Sequence, residues 1–117
     1  MFDGMYQLLL EGKADTATGM LIISNNQVFG CDQGVNYDGI CQANENQPDT
    51  ALLRLKVTVP PHVELIMGQP PVNYERRFDI EFTIKAHSET RVRIGTPDGN
   101  IRGTIAFMRE IPERAAA

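Results

Sequence analysis

Between Phe78 and His87 the chain alternates without a break: Phe78, Ile80, Phe82, Ile84 and Ala86 are apolar, and Asp79, Glu81, Thr83, Lys85 and His87 are polar. A run of this length with period two defines a β-strand with one dry and one wet face, because successive Cβ atoms of a pleated strand point to opposite sides. A helix would bring Phe78 and Phe82 together but throw Ile80 to the far side. The rest of the chain must therefore supply an apolar surface to cover this face.

The same period recurs elsewhere. Leu53, Leu55, Val57 and Val59 alternate with Arg54, Lys56 and Thr58, and Ile101, Gly103, Ile105 and Phe107 alternate with Arg102, Thr104, Ala106 and Met108. Arg91-Val92-Arg93-Ile94 is a shorter example, and Met5–Glu11 places Tyr6, Leu8 and Leu10 on one face. Gly19–Ser24 is apolar on both faces, and Gln27–Cys31 and Val35–Ala43 are further strand candidates. Gly39, inside the last of these, hints at a bend or bulge. Asn25-Asn26 and Asp32-Gln33-Gly34 read as tight turns, since Asn and Gly tolerate positive φ. Pro97-Asp98-Gly99-Asn100 is a further turn, Ser88-Glu89 links the strands beside it, and Asn44–Asp49, containing Pro48, reads as a polar loop. Residues 60–75 are the least regular. Pro60-Pro61 and Pro70-Pro71 cannot donate to a ladder, and His62–Met67 between them reads as one helical turn or a short edge strand.

These runs supply about eight strands and no amphipathic helix able to cover a sheet, so the second face is hidden by stacking two sheets or by closing one. Consecutive short hairpins favour closure. The predicted fold is all-β: a closed antiparallel barrel of about eight strands in an up-and-down meander. Its interior, or the lining of a ligand site, is predicted to be Leu8, Leu10, Leu53, Leu55, Val57, Phe78, Ile80, Phe82, Ile84, Val92, Ile94, Ile105 and Phe107. With Leu8, Leu10 and Ile22 pointing in, Met5, Leu9, Leu21 and Ile23 are left outside as an apolar patch of the kind that marks a homodimer interface. The 117 residues suit one domain, residues 1–111, with Pro112–Ala117 as a frayed tail.

Composition narrows the function classes. The 11 basic and 15 acidic residues give a net charge of −4, and the basic residues are scattered, with Arg76-Arg77 and Arg91/Arg93 the only local groupings. That is not the basic stripe that nucleic-acid binding needs. No apolar run approaches the roughly 18 residues of a membrane span, and the N-terminus carries acid at Asp3 where a signal peptide carries base. A cytoplasmic location is the resulting expectation. Cys31 and Cys41 lie ten apart without a Cys-x-x-Cys spacing or a neighbouring histidine. They read as two buried thiols rather than a zinc site or a disulfide. His62 and His87 read as surface residues, and no nucleophile elbow, phosphate loop or metal spacing occurs. Asp79 and Glu81 share a strand face roughly 7 Å apart, but they point outward beside Lys85. The chain is thus expected to be neither an enzyme nor the holder of a metal or cofactor.

One resemblance spans nearly the whole chain, carried by short, glycine-based motifs. Asp3-Gly4-Met5-Tyr6 opens it, Gly19-Met20-Leu21 follows a polar loop, and Asn26 precedes Gly30 and Asp32. Tyr37-Asp38-Gly39, a proline-containing stretch ending in Gly68, a period-two strand and a final hairpin complete the order. This order resembles the GrlR-like negative regulators of bacterial type III secretion. The resemblance implies a small lipocalin-like barrel, often dimeric, that restrains transcription by binding an activator protein and not DNA. In that family the contact is attributed to alternating acids in the loop after the fourth strand. The matching segment here is Asn44, Glu45, Asn46, Gln47, Pro48 and Asp49, of which only Glu45 and Asp49 are acidic. The expected function is a regulatory module whose partner-binding loop comprises Asn44, Glu45, Asn46 and Asp49. The alternative is a carrier or sensor of a small apolar ligand held in the barrel.

Overall fold

The computed structural model describes residues 1–112, so positions 113–117 of the predicted tail lie outside the described residues. Eight strands follow one another: β1 (Gly4–Glu11), β2 (Thr16–Ser24), β3 (Gln27–Asp32), β4 (Asn36–Asn44), β5 (Gln47–Val59), β6 (Arg76–Lys85), β7 (Glu89–Thr96) and β8 (Gly99–Arg109). All pairs are antiparallel, and the sheet order is β6-β5-β4-β3-β2-β1-β8-β7. Each strand therefore lies beside its sequence neighbours, and the β1–β8 ladder joins the ends of the meander. The architecture is a nearly closed, lipocalin-like barrel. Among the described residues, no helix is long and apolar enough to cross a membrane.

The seam lies between β6 and β7, and its cause is local. At the β6–β7 turn the Ala86 N–H donates to the Asp49 carbonyl (2.8 Å), while the Ser88 carbonyl accepts from the Phe107 N–H (3.1 Å). One side of the turn is thus bonded to β5 and the other to β8. At the start of the seam the Thr90 hydroxyl accepts the Lys85 N–H at 3.0 Å, in place of a backbone carbonyl. His87 belongs to this turn rather than to the strand, with φ of 51°.

The inner face is the one the alternation predicts in β5 and β6. Leu53, Leu55, Val57, Ile80, Phe82 and Ile84 are buried, as are Leu8, Leu10, Ile94 and Ile105, whereas Phe78, Val92 and Phe107 are only partly buried against them. Cross-strand registry fixes the facing of β2, where both faces are apolar. Tyr6 stands opposite Leu21 and Gly4 opposite Ile23, and partners in an antiparallel pair share a face. Leu21 and Ile23 are therefore core residues, 0% and 1% exposed, not members of an outer patch. Ile22, expected inside, sits outside and half-buried.

Four local expectations are also corrected. Asn44 and Asp49 belong to strands, so the polar loop shrinks to a hairpin turn at Glu45-Asn46, with the irregularity in pairing at Ala43/Asn44. Gly39 causes no bulge. It pairs regularly with Val28 and Leu55, and a Cβ there would run into the Arg54 carbonyl. Cys31 is exposed while Cys41 is buried, because they fall on opposite faces of the sheet. His62–Met67 is neither helix nor strand but a pair of turns. The Asn25-Asn26 turn forms as predicted, with φ of 51° and 65°.

Phe82 is 5% exposed while Thr83, the next residue, is on the wet face. Phe82→Ala should cost about 3–5 kcal/mol of unfolding free energy, and Thr83→Ala about 0.5 kcal/mol. Urea unfolding of both variants checks this, and equal losses would contradict the facing.

Candidate functional site

The two ends of the barrel differ. At the end where β1 begins and β8 finishes, side chains fill the opening. Tyr6 is fully buried and donates its hydroxyl proton to the Phe2 carbonyl (2.9 Å), and its ring meets Phe107 edge-on at 5.5 Å. The His87 ring lies 4.5 Å from Phe107, and its Nε2 is 3.2 Å from the Asp3 carbonyl. The Glu45-Asn46 hairpin is at this same end. Asn44, Glu45, Asn46 and Asp49 are all exposed beside the filled opening, and the first three border a shallow outer groove with Leu52, Arg54 and Thr83.

At the other end residues 60–75 cross the mouth as a cover. Val63, Leu65, Ile66 and Met67 pack against the core. The Ile66 carbonyl accepts from the Ala14 and Asp15 N–H groups at 2.9 and 3.1 Å, docking the cover on the β1–β2 turn. That approach depends on Gly12, where a Cβ would lie 2.5 Å from the Ile66 oxygen. Val63 sits over Gly34 and Met67 over Gly99, so the cover touches the β3–β4 and β7–β8 turns as well. Arg76 Nη2 donates to the Val63 carbonyl at 2.9 Å, holding the segment where it leaves for β6.

Beneath this cover is a cavity of about 80 Å³, lined chiefly by Leu10, Val57, Phe78, Ile80, Ile101 and Met67. Of the predicted lining, Leu10, Val57, Phe78 and Ile80 reach it, whereas Leu8, Leu53, Leu55, Phe82, Ile84, Ile105 and Phe107 fill the barrel elsewhere. Two ionisable groups reach the cavity at the β3–β4 connection, one of them Asp32, which the sequence presents as a turn residue. Asp32 and Tyr37 both line the cavity, and the Tyr37 hydroxyl donates to Asp32 Oδ2 at 2.5 Å. Burial pushes the Asp32 carboxyl up from its usual range, and the hydrogen bonds from Tyr37 and the Val35 backbone offset that only in part. Burial, then the neighbouring carboxylate, pushes the Tyr37 phenol well up too. Tyr37 alternates with Gly39 and Cys41 on the inner face of β4, so its inward position was available from period two. A buried phenol needs an acceptor, and Asp32 lies five residues away. Glu64 and Asp98, also lining the cavity, reach it only through the cover and the β7–β8 turn.

A second feature is on the outside. Met5, Ile22 and Phe29 stand in one cross-strand row over β1, β2 and β3, with Met20 and Cys31 in the row beside it. Phe29 is 47% exposed, and Met108, on the β8 side of β1, is 51% exposed. Met5 and Leu9 keep the outward facing predicted for them. The wet face of β5 and β6 is polar by contrast: Arg54 opposes Glu81, 3.6 Å apart, and Lys56 opposes Asp79.

No family model matches the chain, and no curated protein matches it either. Among the described residues, no three His, Cys, Asp or Glu side chains come together as a metal site.

Because its folded-state pKa is raised, Asp32 is better accommodated neutral. Its contribution to stability is complete below the unfolded carboxylate value and is lost as pH rises through the folded value. Asp32→Asn keeps an acceptor for Tyr37 and has no charge to desolvate. Wild-type stability should therefore fall relative to that of the variant as pH rises from strongly acid toward neutral. Denaturant melts across the range check this, and parallel curves would contradict it.

Proposed function

We propose that this chain is a non-catalytic regulatory binding module, cytoplasmic, that works as a homodimer and acts on a protein partner. The observation that carries this reading is the outward-facing apolar row Met5–Ile22–Phe29, extended by Met20, in which Phe29 is exposed and the other three are half-buried. Exposed large apolar side chains gathered on one sheet face favour association, because covering them removes apolar area from water. The row replaces the patch expected from sequence: Met5 stays, Leu21 and Ile23 leave it, and Ile22 and Phe29 enter. The resemblance to the GrlR-like negative regulators supports a partner involved in transcription. It also nominates the Glu45-Asn46 hairpin with Asp49 as the contact. Exposed ion pairs are worth only about 0–1 kcal/mol each, so two acids orient a partner while apolar contacts hold it.

The cavity supports a second reading, a carrier or sensor of a small apolar ligand, since a concave, mostly apolar space with a few polar groups is the usual form of such a site.

Light scattering at micromolar concentration should give twice the 13.0 kDa of one chain, and Phe29→Glu should return the mass to that of the monomer. A wild-type monomer would refute the dimer. A pull-down from the source cell should lose its partner with Glu45→Lys plus Asp49→Lys. A partner retained undiminished would clear that hairpin of the role.

A further inference from the structure

The cavity under residues 60–75 presents acceptors and few donors. Among the described residues, its lining includes the acidic residues Asp32, Glu64 and Asp98 and the amide Gln33, and no lysine, arginine or histidine. The two hydroxyls in the lining are already committed: Tyr37 donates to Asp32 Oδ2, and Thr96 donates to the Gly99 carbonyl at 2.6 Å. A carboxylate has about four lone-pair sites, and at Asp32 the Tyr37 hydroxyl and the Val35 backbone N–H take two of them. Asp32 shares this lining with the apolar side chains of Leu10, Val57, Phe78, Ile80 and Ile101. An anionic ligand would meet like charge from three carboxyl-bearing residues, with only the neutral Gln33 amide as a side-chain donor to set against it. A metal ion would find no cluster of ligands among the described residues. A cation with an apolar body satisfies both halves of the site, because it offers hydrogen-bond donors and opposite charge to a carboxylate that burial has desolvated.

Size narrows the class further. At about 10–15 Å³ per water-sized sphere, a cavity of about 80 Å³ holds roughly five to eight heavy atoms. That is well short of the roughly 300–1,000 Å³ of sites for drug-sized ligands, so a long-chain lipid does not fit with the cover in place. We propose that this cavity binds a small organic ammonium ion, with an apolar body no larger than a benzyl group. The charged head sits at Asp32, under the field of Glu64 and Asp98. This rests on the carrier reading above and names its ligand class.

The test is an NMR titration of the full chain with three probes that share a ring and differ in the head: benzylamine, benzyl alcohol and benzoate. Benzylamine should shift the backbone resonances of Val35, Tyr37, Val57 and Ile101 saturably, with benzyl alcohol at least tenfold weaker and benzoate without effect. Asp32→Asn should bring amine and alcohol to similar affinity. Should that variant fail to fold, Glu64→Gln with Asp98→Asn changes only exposed side chains. It should weaken benzylamine several-fold and leave benzyl alcohol unchanged. Equal binding of amine and alcohol to the wild type, or amine affinity indifferent to the Glu64/Asp98 pair, would overturn the ammonium class while leaving the carrier reading intact. Absence of any shift at the cavity with all three probes would overturn both.

Discussion

The ladder between β1 and β8 is the constraint on which the rest of the structure depends. Leu8 opposite Ile105 and Leu10 opposite Gly103 join the first strand of the meander to the last. Without this pairing the meander would be an open sheet with its apolar face in water and two long bare edges, the form that aggregates. With it, one face of every strand becomes an interior. The closure is also the most distant in sequence, so its loop entropy is met only when the intervening hairpins have already formed. Those hairpins are short and their turns are locally encoded, which makes the closure attainable.

Closing eight strands leaves two openings, and the chain treats them differently. At one end aromatic side chains fill the space: Tyr6, Phe107 and Phe2, with His87 laid over them. At the other the connections cannot fill it, and a long segment bounded by two proline pairs bridges the mouth instead. A segment without ladder bonds is held by scattered contacts, here the Ile66 carbonyl on two backbone donors and four apolar side chains on the core. The cavity is what remains between a regular barrel and an irregular cover. It contains a carboxyl and a phenol because Asp32 and Tyr37 flank the β3–β4 turn, one of the turns that meet that cover.

The outside is uneven as well. Strands β5 and β6 carry opposed charges on their wet face, as a solvated sheet should. Strands β1, β2 and β3 carry Met5, Met20, Ile22 and Phe29 in the same position. The apolar row and the cavity lie on different parts of the molecule, so a partner on the row and a ligand under the cover would not compete for the same residues.

The sequence by itself determined the fold class, the number and order of strands, and the inner faces of β5, β6 and β8. It could do so because period two reports facing directly where one face is apolar and the other polar. It left β2 ambiguous, since Met20, Leu21, Ile22 and Ile23 are all apolar and a one-residue slip exchanges the faces. Only the registry with β1, Tyr6 against Leu21, decided which pair is core and which is surface. The site was less legible than the fold. Asp32 read as a turn residue, Glu64 as part of an irregular stretch and Asp98 as part of a hairpin signal. Nothing in their spacing relates them, because they converge only when barrel closure and the docking of residues 60–75 bring three separate connections to the same mouth.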